Sequence, residues 1–199
     1  MWRHHPQADR LIALLDEIGG PRLIRASFSF VLSDPDDIRL SAELEGGGLM
    51  DVGCYCVSAC LLIAGEPVAV TAQQVTAGGV DVRLAATMAF AGEVLASFDC
   101  GLDIASRDEL EVVGADGSLF LDDPWHSRAP VIELRRGGAV ERVDVVAADP
   151  YARELEDFAA AVAGEREPRF GREAAVGQAR VIAALYESAA SGRTVTLSG

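Results

Sequence analysis

The chain has 199 residues, half of them hydrophobic and about a quarter charged, which fits one globular domain spanning residues 1–199 and able to bury roughly 70% of its unfolded surface. All 17 basic residues are arginine, set against 31 acidic ones, and the resulting charge of −14 repels phosphate backbones and argues against nucleic acid as a partner. No basic-then-apolar leader opens the chain and no apolar run approaches the ~20 residues of a membrane span, so a cytoplasmic protein without a membrane partner is expected.

Residues 1–20 read as a short opening segment and a helix, with Leu11, Leu14, Leu15 and Ile18 at helical spacing and Gly19-Gly20-Pro21 as its stop. A strand is predicted over 22–32, followed by the turn-rich Ser33-Asp34-Pro35-Asp36-Asp37 and a loop to Glu45. Residues 49–64 are helical and almost uniformly apolar, hence buried on most sides, and Gly65-Glu66-Pro67 ends them. Strand-like segments then run over 68–76, 82–91, 94–101, 109–114, 118–121, 131–136 and 141–146. Their connections suit antiparallel hairpins and are too short for the helical crossovers of parallel strands.

Two helices close the chain. Asp149-Pro150 caps and opens the first, Gly164 stops it, and Leu155, Phe158 and Val162 mark the stripe expected to be buried. The second runs from about residue 172 to 191 with Val176, Ala179, Ile182, Ala183 and Tyr186 inward, and 193–197 adds a final strand. The sum is an α+β domain, a mostly antiparallel open sheet with helices packed on one face. The uncovered face points to a homo-oligomer formed through the sheet.

Chemistry concentrates in Gly46-Gly47-Gly48-Leu49-Met50-Asp51-Val52-Gly53-Cys54-Tyr55. Asp51 and Tyr55 stand four apart on one helix face, and the glycines let backbone approach a ligand closely. A phenol beside a carboxylate can pass a proton to or from a hydroxyl, provided that hydroxyl lies within hydrogen-bond reach. On spacing alone, a helix cap by Asp51 beside a packed tyrosine competes with that reading. Cys54, Cys56, Cys60 and Cys100 lack metal-ligand spacing and read as reduced thiols packed as small hydrophobes. His126 could line a cleft from its loop and Asp122-Asp123 could hold a cation, but the commoner readings are an exposed loop histidine and a solvated acidic turn; Arg135-Arg136 reads as an edge-strand pair, and Ser58 lacks the nearby histidine or nucleophile elbow of a hydrolase.

The segment resembles the G-G-x-L-x-D-x-G-x-Y/H motif of the Gfo/Idh/MocA family of nicotinamide-dependent sugar and polyol dehydrogenases. Met1-Trp2-Arg3-His4-His5-Pro6-Gln7 is similar to the M-Y/W-R-x-H-P segment that begins the family's second domain, and Tyr186-Glu187-Ser188-Ala189-Ala190-Ser191-Gly192-Arg193 to its final helix. The resemblance implies the C-terminal substrate and oligomerisation domain of such an enzyme. It implies Tyr55 as the proton-transferring group, Asp51 as its substrate-binding support, and Arg3 and His5 near the substrate cleft; a frayed, positively charged N-terminus is the plainer reading of that last pair.

The complete enzyme would use NAD or NADP. This chain has no G-x-G-x-x-G after a strand and no lysine for the family's E-K-P motif, so the Rossmann half is missing and no cofactor is expected to bind this chain alone. Met1 stands where relatives have an internal methionine, which suggests a start codon assigned too late, a gene fragment or a deliberately isolated domain. The small-molecule partner is a sugar or polyol. The alternatives are a non-catalytic sugar-binding or assembly module, and a cofactor-free isomerase or dehydratase using Asp51 and Tyr55.

Overall fold

Described over residues 1–197, the computed structural model starts with helix α1 (Pro6–Ala13) and strand β1 (Leu23–Val31), then a turn of π-helix (Leu49–Gly53) running into α2 (Cys54–Ala64). Strands β2 (Pro67–Ala77), β3 (Val80–Phe90), β4 (Leu95–Gly101), β5 (Asp103–Val113), β6 (Gly117–Asp122), β7 (Val131–Arg136) and β8 (Ala139–Asp144) follow. Helices α3 (Pro150–Val162) and α4 (Arg172–Ser191) and the two-residue β9 (Val195–Thr196) finish it.

The strands form one sheet in the order β8-β7-β6-β5-β1-β4-β3-β2-β9. Alternation along each strand sends Ile24, Ala26 and Phe28, with Leu84, Ala86, Met88, Phe98 and Leu110, to one face, where α2 and α4 cover them. The opposite face carries Arg25, Ser97, Thr87 and Thr71 in one row across four strands and is open over a shallow depression of roughly 680 Å³. The α+β class with helices on one face is as expected.

One pairing departs from the hairpin expectation. β1 lies parallel to β4, with Leu23 opposite Leu95, while its other neighbour β5 is antiparallel. The crossover that a parallel pair requires is long here, because α2 and the β2–β3 hairpin both fall between the two strands.

Several helix expectations change. α1 stops at Ala13 and gives way to a 3-10 turn, Leu15–Ile18, that ends on left-handed Gly19. Ala42–Ala64 is, by length and apolarity alone, sufficient to cross a membrane, contrary to the sequence expectation. Here it is broken into a 3-10 turn, the π-turn and α2, and half of it is buried inside the domain. α3 is capped as predicted, Asp149 accepting from the N–H groups of Tyr151 and Ala152, yet Leu155, Phe158 and Val162 are 66%, 66% and 72% exposed. α3 packs instead against the 3-10 turn Trp2–His4, while Asp157 ties it to the loop that follows, accepting from the Arg169 N–H at 3.0 Å and pairing with Arg166 at 3.0 Å.

α4 is rotated from its predicted face. Gly177, Val181, Ala184, Leu185 and Ser188 are buried, whereas Val176, Ala179 and Ala183 are exposed and Ile182 and Tyr186 half-buried. The Ser188 hydroxyl sets that rotation, accepting from the Ala72 N–H at 3.0 Å and donating to the Arg193 carbonyl at 2.6 Å. The four cysteines are free thiols, three buried and Cys54 half-buried.

Candidate functional site

The triple glycine closes around a carboxylate of the protein itself. Asp81, 3% exposed, accepts from the Leu49 N–H at 2.7 Å and the Tyr186 hydroxyl at 3.0 Å. Gly47 sits at φ +128° against the Asp81 carboxylate, leaving no room for a Cβ. The glycines therefore serve an internal contact that fixes the start of the π-turn. Burial pushes the Asp81 carboxyl above its ordinary range, opposed by those hydrogen bonds. A carboxylate at the centre of this loop also repels phosphate, so the glycine run does not fit a dinucleotide diphosphate.

The π-turn then presents Asp51. Cys54 N–H reaches back to the Leu49 carbonyl, widening the helix at the position where Asp51 leaves it. Asp51 is not a helix cap: its carboxylate forms an ion pair with Arg39 Nε at 2.9 Å, and Arg39 is held in turn by Asp37 at 3.1 Å. The Asp51 pairing raises the Arg39 guanidinium further, so this cation is permanent.

Tyr55 follows on the first turn of α2. Its ring packs edge-on against Phe28, with centroids 5.2 Å apart, and against Trp125 at 6.1 Å. Burial, then the neighbouring Tyr151, push its phenol well above the ordinary value. In this environment the Tyr55 phenol keeps its proton at neutral pH, and its phenolate would need a stabilising cation.

Asp51 and Tyr55 share a cavity of roughly 650 Å³ with Phe28, Arg39, Arg107, Asp108, Asp122, Asp123, His126 and Arg128. Every arginine there is committed to carboxylates: Arg39 to Asp37 and Asp51, Arg107 to Asp99 and Glu109, and Arg128 to Asp123. Tyr55 also borders a cavity of roughly 340 Å³ with Arg3, Cys54 and Gln178, and one of roughly 360 Å³ with His126 and Tyr151. Burial holds the Cys54 thiol up at about 11, so it stays protonated.

The structure separates the two N-terminal candidates. Arg3 stacks over Phe170, 4.4 Å from the ring centroid, and lines the second cavity. His5 is fully buried and caps α1, its Nδ1 accepting from the Gln7 N–H at 3.0 Å, and it lines none of the three cavities around Tyr55. Nor is this terminus frayed: Trp2 donates to Gln7 at 3.1 Å and packs edge-on against Trp125, and Gln7 donates to the Val131 carbonyl at 3.3 Å.

His126 is the exposed loop residue expected of it, and from that loop it also lines a cleft. It lines two of the cavities and its Nδ1 meets Asp108 Oδ2 at 2.6 Å. Asp108, Asp123 and His126 bring their ligand atoms within 4.8 Å of one another, the donor set of a metal centre. The facing atoms are already engaged, however: Arg128 bonds both Asp123 oxygens, the Trp125 N–H bonds Asp108 Oδ1, and Asp108 Oδ2 meets His126 Nδ1. Arg39, Asp81, Asp108 and Tyr151 escaped the sequence reading; each is an ordinary polar residue in a loop, strand or helix start, without motif spacing.

The model of the GFO/IDH/MocA C-terminal domain matches residues 7–120. A D-xylose 1-dehydrogenase (NADP(+)) from Haloferax volcanii is 36% identical over 99% of this chain and 63% of its own length. A dTDP-3,4-didehydro-2,6-dideoxy-alpha-D-glucose 3-reductase from Actinomadura kijaniata is 30% identical over 95% of this chain and 59% of its own. Among solved structures, the aldose-aldose oxidoreductase of Caulobacter crescentus, complexed with glycerol, superposes with a TM-score of 0.90 at 25% identity, covering 98% of this chain and 62% of that one. The chain thus spans about three-fifths of the relatives it matches.

Proposed function

Since the chain belongs to the GFO/IDH/MocA family through its C-terminal domain, we propose that it is the substrate-binding and proton-handling part of an NADP-linked oxidoreductase acting on a sugar or polyol hydroxyl. The observation that carries this reading is the meeting of Asp51 and Tyr55 in one cavity large enough for a monosaccharide. In reduction, the buried phenol of Tyr55 donates a proton to the alkoxide oxygen that forms as the carbonyl is reduced; in oxidation it takes the proton back. Asp51, its charge balanced by Arg39, accepts a hydrogen bond from a neighbouring hydroxyl and fixes the ring. Arg3 contributes from the adjoining cavity, and His5 is assigned to the helix cap.

Because the glycine run encloses Asp81, the reading leaves the dinucleotide to the part of the relatives that this chain does not span. Among those relatives, one acts on a free pentose and another on a nucleotide-linked sugar. The committed arginines favour the first class, since a diphosphate needs cations not already paired with carboxylates. We expect D-xylose to bind the 199-residue chain in calorimetric titration, with Asp51→Asn weakening it by about tenfold, the value of one charged hydrogen bond. Equal affinity in wild type and variant would remove Asp51 from the site.

The open sheet face supports assembly under either the enzyme or the module reading. Its centre is small and polar, at Ser97, Thr87 and Thr71, and charge ladders such as Arg25–Glu111 and Arg107–Asp99 flank it. Such a face can pair with a second copy of itself. Thr87→Arg, which places a bulky cation at its centre, is expected to turn a dimer into a monomer in light scattering and to remove the concentration dependence of the melting temperature. A wild-type chain that is monomeric at high micromolar concentration would exclude this face as an interface.

A further inference from the structure

Resting on that reading, we propose that His126, fixed by Asp108, is a second hydroxyl-binding group of the Tyr55 cavity. The Asp108 carboxylate is largely buried, and its Oδ1 is anchored by the Trp125 N–H at 3.0 Å. Its Oδ2 faces His126 Nδ1 at 2.6 Å, the distance of a charge-assisted bond. A carboxylate on Nδ1 holds the proton there and leaves Nε2 as an acceptor, the same arrangement by which carboxylates orient histidines in other sites. The ring is about half exposed and lines two cavities that Tyr55 also lines, so Nε2 is the polar atom it offers to a ligand there.

The position is rigid. Phe28 contacts both rings edge-on, with centroids 5.5 Å from His126 and 5.2 Å from Tyr55, so one aromatic wedge spaces the two groups. The loop that carries His126 holds two non-glycine residues in the left-handed region, Asp123 at φ 63° and Ser127 at φ 51°. Such conformations persist only where the surroundings hold them. Here they are held by Asp123 N–H to the Asp108 carbonyl at 2.8 Å, Ser127 hydroxyl to the Pro124 carbonyl at 2.8 Å, and the Arg128 clamp on Asp123. A solvated turn has no need of that many restraints.

In chemical terms, Nε2 accepts a hydrogen bond from one hydroxyl of a neutral polyol or aldose, at a point separate from the oxygen that Tyr55 protonates. His126 is thus a specificity-determining group, and Asp108 a positioning residue that acts through it.

The test is titration of the 199-residue chain with D-xylose, followed by calorimetry and by the imidazole ¹⁵N resonances. The result expected is a wild type in which the His126 Nε2 resonance moves with saturation, His126→Phe binding about tenfold more weakly, and His126→Gln losing less. Asp108→Asn is expected to shift His126 away from a single tautomer in the ¹⁵N spectrum while the fold melts normally. If Asp51→Asn weakens binding but His126→Phe and the Nε2 resonance do not respond, the His126 assignment is overturned and the site reading stands. If wild type shows no binding up to saturating sugar, the site reading fails and this inference falls with it.

Discussion

Tyr55→Phe is expected to lower turnover by about a hundred- to ten-thousand-fold, the range lost when a positioned proton donor is removed. The assay is NADPH formation from D-xylose by a longer protein that carries this chain behind a dinucleotide-binding half. The substitution deletes one oxygen and keeps the ring that packs on Phe28 and Trp125, so the melting temperature should hardly move. Direction matters for pH. With the phenol raised by burial, reduction needs the protonated form and should stay flat through neutrality, whereas oxidation needs the phenolate and should climb with pH. A Phe variant within threefold of wild type would sink the assignment of Tyr55 as the proton-transfer group.

Gly47→Ala is expected to cost about 3 kcal/mol, near the upper end of single-site effects. Two penalties combine there: φ of +128° that L-residues rarely adopt, and a Cβ driven into the Asp81 carboxylate. Gly20→Ala is the control, because it shares a positive φ of +74° but has open space around the added carbon. That variant should lose only about 1 kcal/mol. Urea denaturation distinguishes them. Equal losses would mean that strain alone matters and that the Asp81 contact does not brace the π-turn.

Much of the fold was legible because it is written locally. Gly137-Gly138 and Asp149-Pro150 specify turn and cap with residues whose backbone preferences suffice. The α3 stripe shows the limit of that logic: Leu155, Phe158 and Val162 have the spacing of a buried face, but spacing does not say what lies opposite. The rotation of α4 likewise depends on one hydroxyl, Ser188, reaching a strand more than a hundred residues away.

The candidate site divides the same way. Asp51 and Tyr55 were visible as a spaced pair, whereas Arg39 reaches Asp51 from an irregular loop and Asp108 reaches His126 from a distant strand. Charge pairing between segments far apart in sequence leaves no periodic trace. The glycine run was visible too, but its partner was not: Asp81 in Val80-Asp81-Val82 looks like any polar interruption of a strand, and only packing shows it to be the carboxylate that the loop encloses.

The central strand also dictates when a nascent chain can fold. Within this domain β1 precedes both of its neighbours in the chain, β4 on one side and β5 on the other, with Val113 opposite Leu23. At roughly 5–20 residues per second, translation holds Ile24, Ala26 and Phe28 unsheltered for several seconds until β5 emerges. Such non-local pairing is slow to form and offers chaperones and proteases an interval in which to act. A chain cut short before Val113 therefore leaves this domain without the strand that shelters β1 beside Phe28.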